Sequence, residues 1–210
     1  MSSSRLPGEG IFIAVTGPSG SGKTSVCKAL LAMFPRLRFS VSLTTRPRRP
    51  AEVDGEDYHF VSEAEFRERI RRGDLIEWAE NYGKLYGTSR EAMEEALRGN
   101  DLLLDVDTRG ARALKKACPG GIFVFIVPPS IGELERRLRG RGSETEETIR
   151  RRFDNALREI REIVWYDYII VNDELDAAID RLRAVYLAAA CRRERMMEKI
   201  KPFFERSGGM

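Results

Sequence analysis

A chain of 210 residues has room for one well-buried core with small insertions, but not for two large independent domains. Hydrophobic residues at 42% and charged residues at 33% exclude a disordered chain, and 36 Lys and Arg against 33 Asp and Glu leave no field that argues for nucleic acid binding. Cys27, Cys118 and Cys191 are scattered and His59 is the single histidine, which argues against a disulfide framework, a zinc cage and histidine-based catalysis.

The first predicted element is a strand at Ile11 to Val15. It is far too short to span a bilayer and runs straight into Gly, Ser and Lys, unlike a signal peptide, so the expected compartment is the cytoplasm with no membrane contact. Gly17-Pro18-Ser19-Gly20-Ser21-Gly22-Lys23-Thr24 follows, and then a helical run from Thr24 to Phe34. This is the G-x-x-x-x-G-K-[ST] pattern in the strand-to-helix setting that the pattern requires. The glycines let the backbone curl so that successive N–H groups and the helix N-terminus face phosphate oxygens. Lys23 is then expected to reach the β- and γ-phosphates of ATP, and the Thr24 hydroxyl to ligate Mg²⁺. The loop alone does not say what happens to the nucleotide.

From Phe39 to Tyr86 the rhythm breaks. Turn residues at Arg46 to Pro50 and Asp54-Gly55, β-prone pieces around Tyr58 to Val61, and a helix near Glu63 to Arg72 suggest a small α+β insertion packed beside the core. Helical spacing resumes at Ser89 to Arg98, Arg109 to Ala117 and Ile131 to Arg139, and apolar strand-length runs lie at Leu102 to Val106, Ile122 to Val127 and Tyr168 to Val171. These runs lack alternation, as strands buried on both faces do, and their interleaving with helices predicts a three-layer α/β core on a parallel sheet. Gly140 to Arg152 has the Gly and Glu content of a mobile flap followed by a helix start. A helical run from Asp176 to Lys199 leads into a charged helical tail over Cys191 to Arg206, and residues 1–9 and 207–210 are expected to be flexible ends.

The segment Ser40-Val41-Ser42-Leu43-Thr44-Thr45-Arg46-Pro47-Arg48-Arg49-Pro50, with Glu52, Asp54-Gly55 and Tyr58 after it, resembles the GMP-binding segment of guanylate kinases. Ile76-Glu77-Trp78-Ala79, Tyr86-Gly87-Thr88, Leu104-Asp105-Val106-Asp107, Pro128-Pro129-Ser130, Arg139-Gly140-Arg141-Gly142 and Val171-Asn172-Asp173 continue the resemblance in family order. It implies a P-loop nucleoside-monophosphate kinase fold over residues 10–190. The core would comprise 10–39, 89–139 and 153–200, the GMP-binding insertion 40–88 and the lid 140–152. The implied reaction is ATP + GMP ⇌ ADP + GDP with Mg²⁺, in purine metabolism and GMP recycling. Partners would be ATP and GMP or dGMP, in a monomer or homo-oligomer.

The resemblance assigns Arg46, Arg49, Tyr58 and Tyr86 to the acceptor phosphate, and charge-assisted hydrogen bonds suit a dianion there. It assigns Glu77 to the base, helped by Ser42, Thr88 and Asp107. Guanine presents N1–H and the exocyclic amine as adjacent donors, which a carboxylate accepts, whereas adenine's N1 would face another acceptor. Arg137, Arg141 and Arg152 fall at the family's lid arginines, and Asn172 at its adenine contact. Each has a plainer reading: solvated arginines, an edge-strand charge at Glu77, tyrosine hydroxyls in water, a basic helix face, an Asn-Asp turn. Asp105 is read either as an orienter of the Mg²⁺ shell or as a cap for local N–H groups. The intact Gly22, Lys23 and Thr24 speak against the peptide-binding scaffold domains that share this architecture, and Glu77 with Ser42 speaks against a sugar-phosphate acceptor. Thr108-Arg109-Gly110 departs from the family's bulky residue and Gln before Gly, and Lys84-Leu85 from its Asn-Tyr.

Overall fold

The computed structural model describes residues 10–81, 83–140 and 145–206. In chain order its elements are β1 (Phe12–Thr16), α1 (Lys23–Met33), β2 (Leu37–Phe39), β3 (Leu43–Thr44), β4 (His59–Phe60), α2 (Glu63–Arg72), β5 (Leu75–Asn81), β6 (Lys84–Ser89), α3 (Arg90–Ala96), β7 (Asp101–Asp105), α4 (Thr108–Ala117), β8 (Ile122–Val127), α5 (Ile131–Arg139), α6 (Glu146–Ile160), a short 3₁₀ turn (Arg161–Trp165), β9 (Tyr168–Val171), α7 (Leu175–Ala190) and α8 (Arg193–Arg206). The core sheet is parallel throughout, in the order β2-β7-β1-β8-β9.

The absence of polar alternation in β1, β7 and β8 has a direct cause. Ile13, Val15, Leu103, Val124 and Ile126 point to one face and pack with Val26 and Leu30 of α1 and Ala178, Leu182 and Tyr186 of α7. Phe12, Ala14, Leu102, Leu104 and Phe123 point to the other and pack with Met93 and Leu97 and with Ala111 and Leu114 of α4. Both faces bury apolar side chains, so these strands are apolar at every position except Thr16 at the end of β1 and Asp101 and Asp105 at the two ends of β7. β9 differs from the expectation: it is an edge strand with Tyr168, Ile169 and Val171 partly exposed and only Ile170 buried. The far edge, β2, was not evident in the sequence, because one buried residue in three gives no pattern.

A second sheet, β4-β3-β6-β5, has α2 packed on it around Leu43, Phe66, Leu75 and Leu85. β3 pairs parallel with β4 and antiparallel with β6, which pairs antiparallel with β5. A bulge between Leu75 and Glu77 breaks the alternation of β5, so that Leu75, Ile76 and Glu77 are buried in succession. Leu75 joins the small core and Ile76 the main one, tying this sheet to the body of the protein.

One further expectation is corrected. The run Asp176 to Lys199 is not one helix: α7 ends at Ala190, where the Cys191 N–H closes a tight turn on the Ala188 carbonyl. α8 then turns back so that Arg195 reaches Asp101 at 2.9 Å, where Tyr186 and the Ile11 N–H also donate. The helix start read at the end of the 140–152 segment falls at Glu146: residues 146–152 are the first two turns of α6, capped by the Thr145 side chain, which accepts from the Thr148 N–H. Among the described residues no helix is long and apolar enough to cross a membrane.

Candidate functional site

β1 lies at the centre of the core sheet, and the loop from Gly17 to Gly22 leaves its C-terminal end between β7 and β8, where ligands of open parallel sheets bind. Gly20 and Gly22 have φ of +90° and +83°, a left-handed backbone that favours glycine. There is no room for a side chain at two of the loop glycines: a Cβ at Gly17 would strike the Ile126 carbonyl, and one at Gly22 the Asn172 amide. Gly22 caps α1 without any side-chain hydrogen bond, and the first turn holds no acidic residue. The N–H groups that open this helix therefore face outward with no internal anion to satisfy them, the electrostatic arrangement of a phosphate cradle.

Asn172, expected at the adenine, is 5% exposed and directs its amide N–H to the Ser21 carbonyl at 2.7 Å. Its own backbone N–H continues the β8 to β9 ladder onto Val127, so the side chain braces the loop from the end of β9. The rim carries two of the three expected lid arginines. Arg137 of α5 donates to the Asn172 carbonyl at 3.0 Å and to Glu133 at 2.6 Å, and Arg152 of α6 donates to the Ser19 hydroxyl. Arg141 lies outside the described residues.

Lys23 forms an ion pair with Asp105 at the end of β7. Burial by itself depresses the ammonium, but the Asp105 charge and hydrogen bond outweigh it and hold the Lys23 pKa above its ordinary value. The reading of Asp105 as a cap for local N–H groups is thus not what its recorded contact shows; capping falls to Asp107, whose Oδ1 accepts from the Gly110 N–H at 2.8 Å and starts α4. Thr24 is exposed in the first turn of α1. Its hydroxyl and the Asp105 carboxylate are hard oxygen donors of the kind that suits a small divalent cation sharing phosphate oxygens. Among the described residues no group of three or more His, Cys, Asp or Glu could hold a metal unaided.

The second sheet gathers the other expected residues. After β3, Arg46 makes a two-pronged pair with Glu52, at 2.9 and 2.7 Å, and its guanidinium lies 5.3 Å from the centre of the Tyr58 ring. Tyr58 and Tyr86 meet edge to face with centroids 6.1 Å apart. Arg49 places its side chain 72% in solvent, 3.9 Å from Glu52. Hydrogen bonding to Arg46 holds the Glu52 carboxyl below the usual carboxylate range. Glu52 lies inside the E-x-D-G stretch quoted above, so a signal for it was present, but its role as the internal counter-ion of Arg46 was not foreseen.

Glu77, at the bulge of β5, is 6% exposed. The Thr88 hydroxyl donates to its Oε1 at 2.7 Å, and no cation pairs with it among the described residues. Burial pushes its carboxyl up to about 7, opposed by the Thr88 hydrogen bond and reinforced by the nearby Asp107 charge. Thr88 is buried opposite it on β6, and Ser42 is buried just before β3. A cavity of about 560 Å³ opens between β5, α4 and α6, lined among others by Asp107, Arg109, Asn155 and Glu159. Burial pushes the Glu159 carboxyl up to about 7 as well, with Lys23 opposing and Asp107 adding to the shift. Nothing in the local sequence distinguishes Glu159 from the other acids of its charged helix.

Comparison with known proteins gives concordant results. A family model described as guanylate kinase matches residues 11–189. The chain is 49% identical to the guanylate kinase of Syntrophotalea carbinolica over 93% of this chain and 94% of that protein, and 50% identical to that of Syntrophus aciditrophicus over 91% and 93%. In three dimensions it is similar to the crystal structure of guanylate kinase from Anaplasma phagocytophilum, with a TM-score of 0.75 and 31% identity over 94% of this chain and 96% of that one.

Proposed function

This chain belongs to the guanylate kinase family, and from that premise we propose how its residues divide the transfer of the γ-phosphoryl group of ATP to GMP, giving ADP and GDP. The donor half is the loop from Gly17 to Thr24, including Pro18, Ser19, Gly20, Ser21 and Gly22, with Lys23 leaving Asp105 for the β- and γ-phosphates. Thr24 and Asp105 are the residues that would hold Mg²⁺ beside the phosphates, and the ion would supply neutralisation of phosphate charge there. Asn172 keeps the loop in shape beneath them.

The acceptor half is residues 40–88. Arg46, Arg49 and the hydroxyls of Tyr58 and Tyr86 bind the GMP phosphate, while Glu77, with Ser42, Thr88 and Asp107, accepts from guanine N1–H and the exocyclic amine. A GMP phosphate oxygen attacks the γ-phosphorus in line as the bond to the β–γ bridging oxygen breaks. The nucleophile is already anionic, so no strong general base is required, and stabilising charge on the migrating group is the main task. Arg137 and Arg152 supply it from the rim, together with Arg141. Closure of the acceptor region and of residues 140–152 excludes water, the competing acceptor.

The observation that carries this reading is the position of Tyr58. Burial and the Asp105 charge raise its phenol pKa, Lys23 and Arg46 oppose them, and the Arg46 guanidinium lies 5.3 Å from the centre of its ring. One ring thus sits within electrostatic reach of both the donor lysine and the acceptor arginine, as two adjoining phosphate sites require. The test is ADP release in a coupled assay with GMP, AMP, CMP and UMP as acceptors. Turnover with GMP far above the other three is expected; faster turnover of AMP or CMP would overturn the role of Glu77.

A further inference from the structure

We propose that Gly110 is a specificity-determining positioning residue: by lacking a side chain it lets the first turn of α4 close against the Glu77 carboxylate and fixes where that carboxylate meets the base. The inference rests on the reading of Glu77 as the guanine acceptor given above. A Cβ built on Gly110 would lie 2.6 Å from Glu77 Oε2 and 3.3 Å from its Cδ, closer than nonbonded atoms stand. Its other near neighbour, Asp107 Oδ1, is at an ordinary 3.4 Å, so the conflict is with Glu77 alone.

Gly110 is not there for its backbone freedom. It is the third residue of α4, its φ is not in the left-handed range, and its N–H makes a normal capping bond to Asp107. In a helix Ala is favoured over Gly, so local stability argues against glycine at this position. The reason for it must lie in what the missing methyl would touch.

The Glu77 carboxylate has no easy retreat. Oε1 is held by the Thr88 hydroxyl, the residue is 6% exposed, and Ile76 before it is packed in the main core. Immediately beside Gly110, Arg109 donates to the Glu80 carbonyl at 3.1 Å, so successive residues of one helical turn grip β5 at Glu77 and at Glu80. The turn thus sets the distance between the core and the strand that carries the base reader. A methyl at position 110 would push the carboxylate off the line of two parallel hydrogen bonds while leaving the phosphate loop untouched.

The experiment compares wild type, Gly110→Ala, Glu77→Gln, Glu77→Asp and Gly110→Ala/Glu77→Asp by steady-state kinetics with GMP and with IMP, which lacks the exocyclic amine, alongside thermal melting. Gly110→Ala is expected to raise KM for GMP at least about tenfold and to narrow the GMP to IMP ratio of kcat/KM, with KM for ATP unchanged, whatever the balance in Tm between the helix preference for Ala and the new crowding. The shorter aspartate clears the new methyl, so in the Glu77→Asp background adding Gly110→Ala is expected to cost much less than in wild type. If Gly110→Ala leaves KM for GMP and the GMP to IMP ratio unchanged while Glu77→Gln impairs both, the role of Gly110 is wrong and the reading of Glu77 stands. Unchanged GMP kinetics in Glu77→Gln would overturn both. A lowered Tm with equal losses toward ATP and GMP would mean that the glycine serves packing alone, and would also overturn the proposal.

Discussion

In the function proposed above, the loop from Gly17 to Gly22 and the cluster around Arg46 and Glu77 have the same task, holding part of a nucleotide, and they are built for it by opposite means. The first is built from backbone. Glycines that have no space for a Cβ at Gly17 and Gly22, an uncapped helix start and a brace from Asn172 leave a cradle whose shape barely depends on side chains. The second is built from side chains engaged with one another: Arg46 with Glu52, Glu77 with Thr88, Tyr58 with Tyr86. A backbone site binds any polyphosphate and supplies little selectivity; a side-chain site pays in desolvation and pairing for the ability to choose. Lys23 stands between the two, a donor-site residue held by a carboxylate from the neighbouring strand.

The comparison is broken most severely at Lys23. Lys23→Ala should lower kcat by about 10³-fold or more through loss of charge on the transferring group, while far-ultraviolet circular dichroism stays unchanged and GMP still binds. Next in size, Glu77→Gln presents an amide N–H toward the guanine donors. A loss of about 10²-fold in kcat/KM for GMP, with KM for ATP unaffected, would show that selectivity resides on the side-chain side alone.

Arg46→Ala is expected to raise KM for GMP by about tenfold or more, with a smaller effect for Arg49→Ala, whose guanidinium is solvated and stands farther from Glu52. Equal effects of the two would mean that the pairing of Arg46 and Glu52 is not part of the binding geometry.

The gentlest probe is pH. The Glu77 carboxyl, raised by burial to about 7, must be ionised to accept both guanine donors, so GMP binding should release a proton and tighten as pH rises from 6 toward 8. Affinity should change by up to about tenfold per unit below pH 7 and level off above it. The GMP phosphate itself ionises near pH 6, and the Glu77→Gln variant, which lacks the carboxyl, isolates that contribution. The same shift has a stability consequence of definite sign. Between the ordinary glutamate range and about 7 the folded protein binds more protons at this site than the unfolded chain, so Glu77 makes the empty protein less stable as pH climbs through that window. Melting curves of wild type should fall relative to Glu77→Gln across that interval.

The two regions also differ in how legible they were from sequence, for the same physical reason. The cradle is local: strand, glycines, lysine and helix follow one another within about a dozen residues, and the chemistry needs those types in that order. The three central core strands β1, β7 and β8 were equally clear, since burial on both faces leaves apolar runs. What escaped was set by distant partners. The break after Ala190 answers to an ion pair between Arg195 and Asp101, 94 positions apart. β2 was concealed by its brevity. In the acceptor region the motif residues could be named through family resemblance. Their engagement could not: the bulge that buries Glu77, the counter-ion at Glu52 and the approach of Gly110 to Glu77 all depend on how separate elements meet.

Calorimetric titration of GMP and of a non-hydrolysable ATP analogue into wild type, Lys23→Ala and Glu77→Gln tests the division into two sites most directly. The account predicts a crossed result: Lys23→Ala keeps its GMP affinity within about twofold and loses the ATP analogue, whereas Glu77→Gln keeps the analogue and loses GMP. Loss of both ligands in either variant, or of GMP in Lys23→Ala alone, would contradict it.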